Sequence, residues 1–586
     1  MPSAMQSNGT RWLTRSVIFL LAILVLCSLY FGGGSRVCPP LCQDPKPEPT
    51  PKSSPTKFTL GCNHAPRNKR VAIIGAGSAG ASTAYYLAQA QAAGQIDPCI
   101  NLTITIFERN SYIGGRSITV QPYISKSVPL GTGYPLVSNA IEASQASQSA
   151  HQQQPALELG GSIFVKVNTN LVNAAKGLGL TVQSASQDQP RATYYGWSVW
   201  DGSAFRFLSR NGDSWWTETR RLFNRYGLAP FWAQRLMKST VGQFRQMYDA
   251  PYFPWSNLTA VVEEVGLGSV TGVSGKAYLE LKGISELFSH EIIQAGTRVN
   301  YAQNLKELHG LGTMVCLATN GAMKVKGGNW QIFSGMIKGS GAELRLNTSV
   351  RAIRTLDESK TGARFGIVSA TSSSELNSQS SDNTEEFDDV VIATPLQFSK
   401  IDTNDLSPSY TLPEPIPYVK LHVTLLATKK RIGRSYFQHA IHESPEMVFT
   451  IPPNDQYQYD LDFFSVSALR NLTNPQTGEQ EFAYKIFSHR EPDKMYLNRL
   501  FGGDGWAIGN ISWIYQHTWN AYPYLSPRTV FDGPALGNGL WYTSGIEPFI
   551  STMETSSLSG SNVAALLVQR WENERETLDL EFKGGL

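Results

Sequence analysis

Cysteine is scarce, with six in 586 residues. None falls in a paired CxxC…CxxC spacing, which excludes a disulfide-stapled scaffold and a structural zinc module. No metal site is expected. A dominant charge sign is also missing: 50 Lys and Arg against 47 Asp and Glu leave +3 at pH 7, so no strong field invites nucleic acid or an acidic partner. No repeat of fixed period between 20 and 50 residues runs along the chain, which argues against a solenoid or propeller. There is no Ser-His-Asp pattern of the kind used for nucleophilic catalysis. Hydrophobic residues at 41% and charged residues at 17% supply a large core and exclude disorder of the whole chain.

One apolar run stands out, Ser16 to Phe31, preceded by Arg11 and Arg15. Its length lies between a signal-peptide core and a spanning helix. Residues 1–34 are therefore a signal anchor or a cleaved signal, and both readings stay open. Either sends the rest into the secretory pathway, with a lumenal body in the lysosome or vacuole, or in the ER or Golgi, bound to the membrane only if the segment is uncleaved. Five N-x-[S/T] triplets follow, at Asn101, Asn257, Asn347, Asn471 and Asn510, each a glycan acceptor if lumenal. Residues 35–69 form a proline-rich linker, in which Cys38 and Cys42 flank a short turn and are candidates to pair. Low-complexity stretches at Ser138–Pro155 and Thr371–Glu386 read as surface insertions.

The first ordered segment, Arg70 to Ala90, is an apolar strand, then Gly75-x-Gly77-x-x-Gly80, then a helix with small residues on its packing face. That order suits a dinucleotide. Gly75 permits the tight turn, Gly77 lets backbone approach a diphosphate, and Gly80 lets helix and strand pack closely, with the phosphates on the helix N-terminus. Leu102 to Glu108 reads as an alternating strand ending in a carboxylate that can accept ribose hydroxyls. Glu108 lies further from Gly80 than the usual gap of roughly 20 residues. A longer loop over 93–100 absorbs the excess.

Arg109-NSYI-Gly114-Gly115-Arg116 resembles the GG-R segment of the flavin-dependent amine oxidase superfamily. The resemblance implies FAD, with Arg109, Gly114, Gly115 and Arg116 beside the phosphates. Leu540 to Trp571 reads as a strand, a turn at Gly545 and a long helix beginning near Thr552 to Thr555. In that superfamily the N-terminus of this helix points at the flavin, which implies cofactor roles for Gly545, Thr552, Met553 and Glu554. No cysteine lies between Tyr542 and Trp571, so noncovalent FAD is expected. Phe387–Leu396 looks like the strand closing the flavin domain, and Val325–Ile353 like the helix and strand before it.

Several stretches together resemble the prenylcysteine oxidases, also called prenylcysteine lyases: Glu158-LGGSIF-Phe164, Asp213 to Phe231 with its RYGLAPF ending, His290 to Gln303 with TRVNYAQ, Val325-KGGNW-Trp330, and Gly545 to Trp571. The resemblance covers roughly 70–575 and adds Gly160 and Gly161 to the cofactor set. It implies an α/β fold: an FAD-binding Rossmann-like domain in separated segments (70–165, 323–400, 531–575) interleaved with an α+β substrate domain (166–322, 401–530). It also implies a thioether oxidase. Hydride leaves the allylic carbon bonded to sulfur of S-farnesyl- or S-geranylgeranyl-cysteine, water adds, and cysteine, a prenyl aldehyde and, with O2, H2O2 result.

A C15 or C20 chain needs an apolar site, and the middle of the chain offers Trp197, Trp200, Trp215, Trp216, Phe223, Tyr226, Phe231, Trp232 and Tyr301. Arg298 and Arg225 are candidates for the substrate carboxylate. His290, Glu291 and His309 are candidates to accept a proton from the attacking water, while a lone histidine is more often a satisfied structural residue. Two rivals remain on sequence alone: another superfamily oxidase acting on a polyamine or amino acid, and a prenyl-binding escort without turnover.

Overall fold

A computed structural model describes residues 66–124, 156–187, 194–371, 383–453, 461–502 and 508–584. The N-terminal apolar run, nearly all of the linker, the 138–155 insertion and most of the 371–386 insertion lie outside these residues. Among the described residues no helix is long and apolar enough to cross a membrane.

The chain opens with strand β1 (Arg67–Ile74), helix α1 (Ser78–Ala92) and strand β2 (Ile100–Phe107). β1 begins inside the stretch read as linker, because Arg67 to Lys69 pair in parallel with Ile100 to Leu102. The loop over 93–99 absorbs the long gap before Glu108. Six strands make the sheet, in the order Ala535–Gly537, Leu540–Tyr542, Asp389–Ile392, β1, β2 and Glu343–Arg345. All neighbours are parallel except the first pair. Asp389–Ile392 therefore sits inside the sheet against β1, and the C-terminal strands close the edge instead.

Alternation along β1 decides the layers. Val71 and Ile73 face a helical layer, while Ala72 and Ile74 face a three-stranded antiparallel sheet of Thr348–Thr355, Phe365–Thr371 and Asn383–Phe387. The helical layer contains α1, the helix Trp330–Ser340 and α5 (Met553–Gly584). α1 and α5 approach through small residues: Ser82 Oγ lies 2.7 Å from Ser557 Oγ, and a Cβ on Gly560 would fall 2.3 Å from the Ala79 carbonyl oxygen. Asp389, fully buried, ties α5 to the sheet by accepting from Arg570, Trp541 and Trp571. Helix α2 (Thr169–Gly177) also belongs to this layer, since Leu171, Ala174 and Ala175 pack in its core. A domain boundary at residue 165 thus cuts through a packed unit.

The second sheet has seven strands, in the order Ile511–Pro523, Tyr418–Thr428, Gln480–Ser488, Ser465–Thr473, Met447–Thr450, Tyr195–Trp200 and Phe205–Arg210. Its pairs are antiparallel apart from Met447–Thr450 with Tyr195–Trp200. A helical cluster covers it, including α3 (Trp215–Tyr226) and α4 (Ala229–Arg245). The architecture is thus mixed α/β, with a parallel dinucleotide-type sheet assembled from distant segments.

Candidate active site

Each glycine after β1 has its own physical reason. Gly75 has φ +112°, and a Cβ there would lie 2.9 Å from the Ala393 carbonyl oxygen. At Gly80 a Cβ would fall 2.0 Å from the Gly75 carbonyl oxygen. Gly77 differs: its backbone is extended at φ −81°, and a Cβ there would meet nothing within 4 Å. Neither strain nor packing demands glycine at 77, so its bare backbone keeps space open. Across that space stands Gly115 (φ +54°), whose added Cβ would lie 3.6 Å from Gly77 Cα. The Gly114 N–H donates to the Ala76 carbonyl at 2.9 Å and locks the two loops together. Glu108 is buried at the end of β2, where Oε2 accepts from the Ala76 N–H and Oε1 from the Asn110 backbone and side-chain N–H groups. Burial pushes its carboxyl above the usual range, against those hydrogen bonds.

Two further segments close the cradle. A Cβ on Gly160 would fall 1.9 Å from the Arg116 carbonyl oxygen, and the Gly161 N–H donates to the same oxygen at 2.9 Å. Gly161 also abuts Met553, whose Sδ would lie 2.7 Å from an added Cβ. The KGGNW stretch holds this loop: Asn329 donates from Nδ2 to the Gly161 carbonyl and from its backbone to Glu158 Oε1, while Trp330 packs under Gly114. Thr552 caps α5 by accepting the Thr555 N–H, and Ser78 Oγ, at the start of α1, donates to the Met553 carbonyl at 2.6 Å. Two helix N-termini therefore converge on the glycine loops, an arrangement that favours anionic groups. The open face at Gly77 and Gly115 and the converging helix ends fit the diphosphate of an FAD-like dinucleotide, and buried Glu108 fits its ribose.

A mainly apolar cavity opens beside this cradle, lined in part by Val241, Phe244, Tyr301, Cys316, Ile550 and Met553. The Tyr301 hydroxyl is buried and has no hydrogen-bond partner among the described residues. Its ring stands edge-on to Tyr522 at 5.3 Å.

A profile of the family described as prenylcysteine lyase matches residues 209–580, nearly two-thirds of the chain. The chain belongs to the prenylcysteine lyase family. A second profile, an NAD(P)-binding Rossmann-like domain, matches residues 73–140. Farnesylcysteine lyase of Arabidopsis thaliana is 25% identical over 518 residues, covering 86% of this chain and 88% of that protein. Prenylcysteine oxidase 1 of Homo sapiens is 24% identical over 526 residues, covering 88% and 92%. Among solved structures, a CLA-producing fatty acid isomerase from P. acnes superposes with a TM-score of 0.51 at 13% identity, over 85% of this chain and 98% of that one. Cradle and kinship together assign a flavin cofactor.

Within this prenylcysteine lyase family member, several expected site residues have other work. Arg116 is committed to Glu547, with Nη1 and Nη2 on the two carboxylate oxygens at 2.9 and 2.7 Å and a further bond to the Ala521 carbonyl. It clamps the GG-R turn to the Gly545 turn, so its charge is not free for phosphate. The Gly545 turn packs on Asp532, whose carbonyl oxygen would lie 2.8 Å from an added Cβ. Arg109 is exposed and donates to the Phe398 carbonyl.

Glu554 turns away from the glycine loops. It accepts the N–H groups of Asn170 and Leu171 at the start of α2 and the Tyr248 hydroxyl. Burial raises its carboxyl to about 7. The folded state therefore holds this proton more tightly than the unfolded chain, and the associated stability is full below pH 4.5 and lost as pH rises towards 7. A rise from 4.5 to about 7 corresponds to about 3 kcal/mol. Relative to the wild type, Glu554→Gln is expected to gain about that much between pH 4.5 and 8, measured by denaturant unfolding at both ends.

The candidates around the substrate are redistributed as well. Arg225 makes a bidentate pair with buried Glu291 at 2.6 and 2.7 Å, and the Tyr226 hydroxyl bonds the same carboxylate. Glu291 is thus no free base and Arg225 no free carboxylate receptor. Arg225→Ala should destabilise the fold by about 1–3 kcal/mol, discounted for the half-exposed guanidinium, and leave the KM for substrate unchanged. A substantial rise in KM without loss of Tm would overturn that assignment. Buried Arg298 bonds Asn304 Oδ1 and Thr450 Oγ1 and covers the Phe464 ring, joining its helix to the seven-stranded sheet. His309 is a cap: Nδ1 accepts the Gly312 N–H, Nε2 meets the Pro548 carbonyl, and burial lowers its pKa to about 4. His290 is half-buried in a turn of π-helix, Ser289–Ile293. Trp197 and Trp200 are sheet core, Trp215 and Trp216 stack on each other at 3.8 Å, and Phe231 packs on Trp232. None of these aromatic rings lines the cavity.

Lys485 was not foreseen. Buried in the strand Gln480–Ser488, its Nζ donates at 2.8 Å to the Glu158 carbonyl and to Ser162 Oγ, on the Gly160-Gly161 loop. Burial lowers its pKa to about 8. The signal was a single lysine within the apolar run Phe482-Ala-Tyr-Lys-Ile-Phe487, because a lysine is almost never buried unless the fold supplies it with a partner.

Proposed function

We propose that the protein oxidises S-prenyl-L-cysteine, farnesyl or geranylgeranyl, with water and O2, to cysteine, the prenyl aldehyde and H2O2, using noncovalently held FAD. The observation that carries this reading is the family match across residues 209–580. Its support in the site is a flavin cradle opening onto an apolar cavity. When bound, the flavin supplies a two-electron acceptor that dioxygen regenerates.

The chain's own residues do the rest. Val241, Phe244 and Ile550 accept the prenyl chain and exclude water. Tyr301 offers its unpartnered hydroxyl to the polar end of the substrate. Arg245, which lines the cavity and makes no ion pair among the described residues, takes the substrate carboxylate. Once the carbon bonded to sulfur has given up its hydride, Lys485 Nζ accepts the proton of the water that adds to that carbon, and the resulting hemithioacetal collapses to aldehyde and thiol. Lumenal placement agrees with the exposure of Asn101, Asn257, Asn347 and Asn471.

Anaerobic addition of S-farnesylcysteine should bleach the flavin absorbance, and admission of air should restore it with release of farnesal and peroxide. A flavin that stays oxidised would exclude this substrate, and bleaching by amines instead would favour an amine oxidase.

A further inference from the structure

Thirteen large apolar side chains are exposed among the described residues, and four of them fall between 216 and 232. These are Trp216 at 56%, Phe223 at 56%, Leu228 at 57% and Trp232 at 47%, which include both exposed tryptophans and the one exposed phenylalanine. Trp216 and Phe223 lie seven residues apart on one face of α3, and Leu228 and Trp232 lie four apart at the start of α4. Leu281 and Leu287 are also exposed, on a segment that α3 touches through Tyr226 and Phe288, at 5.3 Å between rings. An amphipathic helix of a globular domain normally turns such residues inward. Here the inward positions are already filled by Leu222, Tyr226, Ala233 and Met237.

The charge on the same helices has one dominant sign. From Trp215 to Arg245 there are six cations, Arg220, Arg221, Arg225, Arg235, Lys238 and Arg245, against one acid, Glu218. All but Arg221 are exposed. Exposed tryptophan, phenylalanine and leucine interspersed with arginine and lysine is the composition of a helix lying in a lipid interface. We propose that α3 and α4 form a face that rests on an anionic bilayer, with the apolar side chains at the headgroup–acyl boundary and Arg220, Arg235 and Lys238 on lipid phosphates, while Arg221 and Arg225 stay on Asp213 and Glu291 and Arg245 stays at the cavity.

Two other features agree with this occupant. The stretch from 32 to 65, between the apolar run and the described body, has 34 residues, which reach at most roughly 120 Å when fully extended. A chain held by that run would keep the body within reach of the same bilayer. In addition, α4 leads from the exposed face to the cavity, because Trp232 and cavity-lining Val241 are nine residues apart on one helix, about 14 Å along its axis. A prenyl chain leaving the bilayer at Trp232 would meet the cavity at Val241. This delivery role rests on the prenylcysteine reading, whereas the membrane face does not.

The test is hydrogen exchange on the full-length holoprotein with vesicles of phosphatidylcholine alone or mixed with phosphatidylglycerol. Peptides from 215–238 should exchange several-fold more slowly on the mixed vesicles, and added salt should weaken the effect. Membrane attachment through the N-terminal run alone would leave these amides unprotected. No protection, or protection without lipid that grows with protein concentration and so marks a second copy of the chain, would overturn the proposal. The variant Phe223→Ser/Leu228→Ser/Trp232→Ser should lose the protection while keeping its flavin absorbance. The charge variant Arg235→Glu/Lys238→Glu should lose the preference for phosphatidylglycerol, and retention of that preference would also count against the proposal. With S-farnesylcysteine supplied in vesicles, the triple-serine variant should show a raised KM and an unchanged kcat. A water-soluble short-chain S-prenylcysteine should be oxidised as by wild type. Failure to oxidise either substrate would refute the catalytic reading and leave the exchange result standing.

Discussion

Gly77→Val is expected to give a folded, colourless protein, whereas Gly80→Val gives a poorly folded one. At position 77 the backbone is extended and an added Cβ meets nothing within 4 Å, so the substitution places its methyl groups in open space. Nothing in the protein itself resists it. The space it fills faces Gly115 and the N-terminus of α1, where the diphosphate of the flavin belongs. Flavin affinity should fall by at least about 100-fold, roughly 2.7 kcal/mol, with little change in the Tm of the flavin-free protein. At Gly80 the added carbon would lie 2.0 Å from a backbone carbonyl oxygen, so β1 and α1 must separate at a cost of about 1–3 kcal/mol or more. Flavin absorbance after gel filtration and thermal unfolding of the stripped proteins separate the two outcomes. A Gly77→Val protein that keeps its flavin would mean that the cofactor does not pass this turn.

Lys485→Met should lower kcat/KM by about 10²–10⁴ without loss of bound flavin. The amine, carried by the strand Gln480–Ser488, is buried against the loop that holds Gly160 and Gly161, and its pKa near 8 follows from desolvation. Burial disfavours the ammonium form, so above about pH 8 Nζ holds a free lone pair and can accept a proton. Wild-type kcat/KM should therefore climb with pH and level off above about 8, while the variant should be slow and flat across that limb. Methionine matches the length of the lysine stem, so the fold should be retained. Lys485→Arg should not rescue, because a guanidinium stays protonated. An unchanged rate and pH profile in Lys485→Met would remove this lysine from the reaction.

The cradle was legible where local geometry alone demands a residue. Gly75, Gly80, Gly114 and Gly160 are dictated by turns and close approaches that recur wherever a dinucleotide meets a strand–turn–helix unit. The start of α5 was equally visible, because Thr552 and Thr555 cap it within four residues of chain. Arg116, Arg225, Arg298 and Glu554 were misplaced for one common reason. Each is a charged group whose partner is remote in sequence: Glu547, Glu291, Thr450 and the N-terminus of α2. No spacing rule announces such a partner, and a charge that looks free in the sequence is neutralised or hydrogen-bonded once the chain closes. The aromatics of 197–232 failed differently, since density in sequence says nothing about which side of a helix faces the core.

The sequence by itself determined the parallel glycine-turn unit, the flavin class and the prenylcysteine lyase kinship, because short-range sterics and family motifs are written in consecutive residues. Only the tertiary structure decided that Asp389–Ile392 lies inside the sheet and that KGGNW pins the Gly160-Gly161 loop. It also decided that Lys485 stands against that loop and that Trp216, Phe223, Leu228 and Trp232 face outward. These are contacts between segments far apart in the chain, and they exist only where burial and hydrogen-bond satisfaction have been settled for the whole molecule at once.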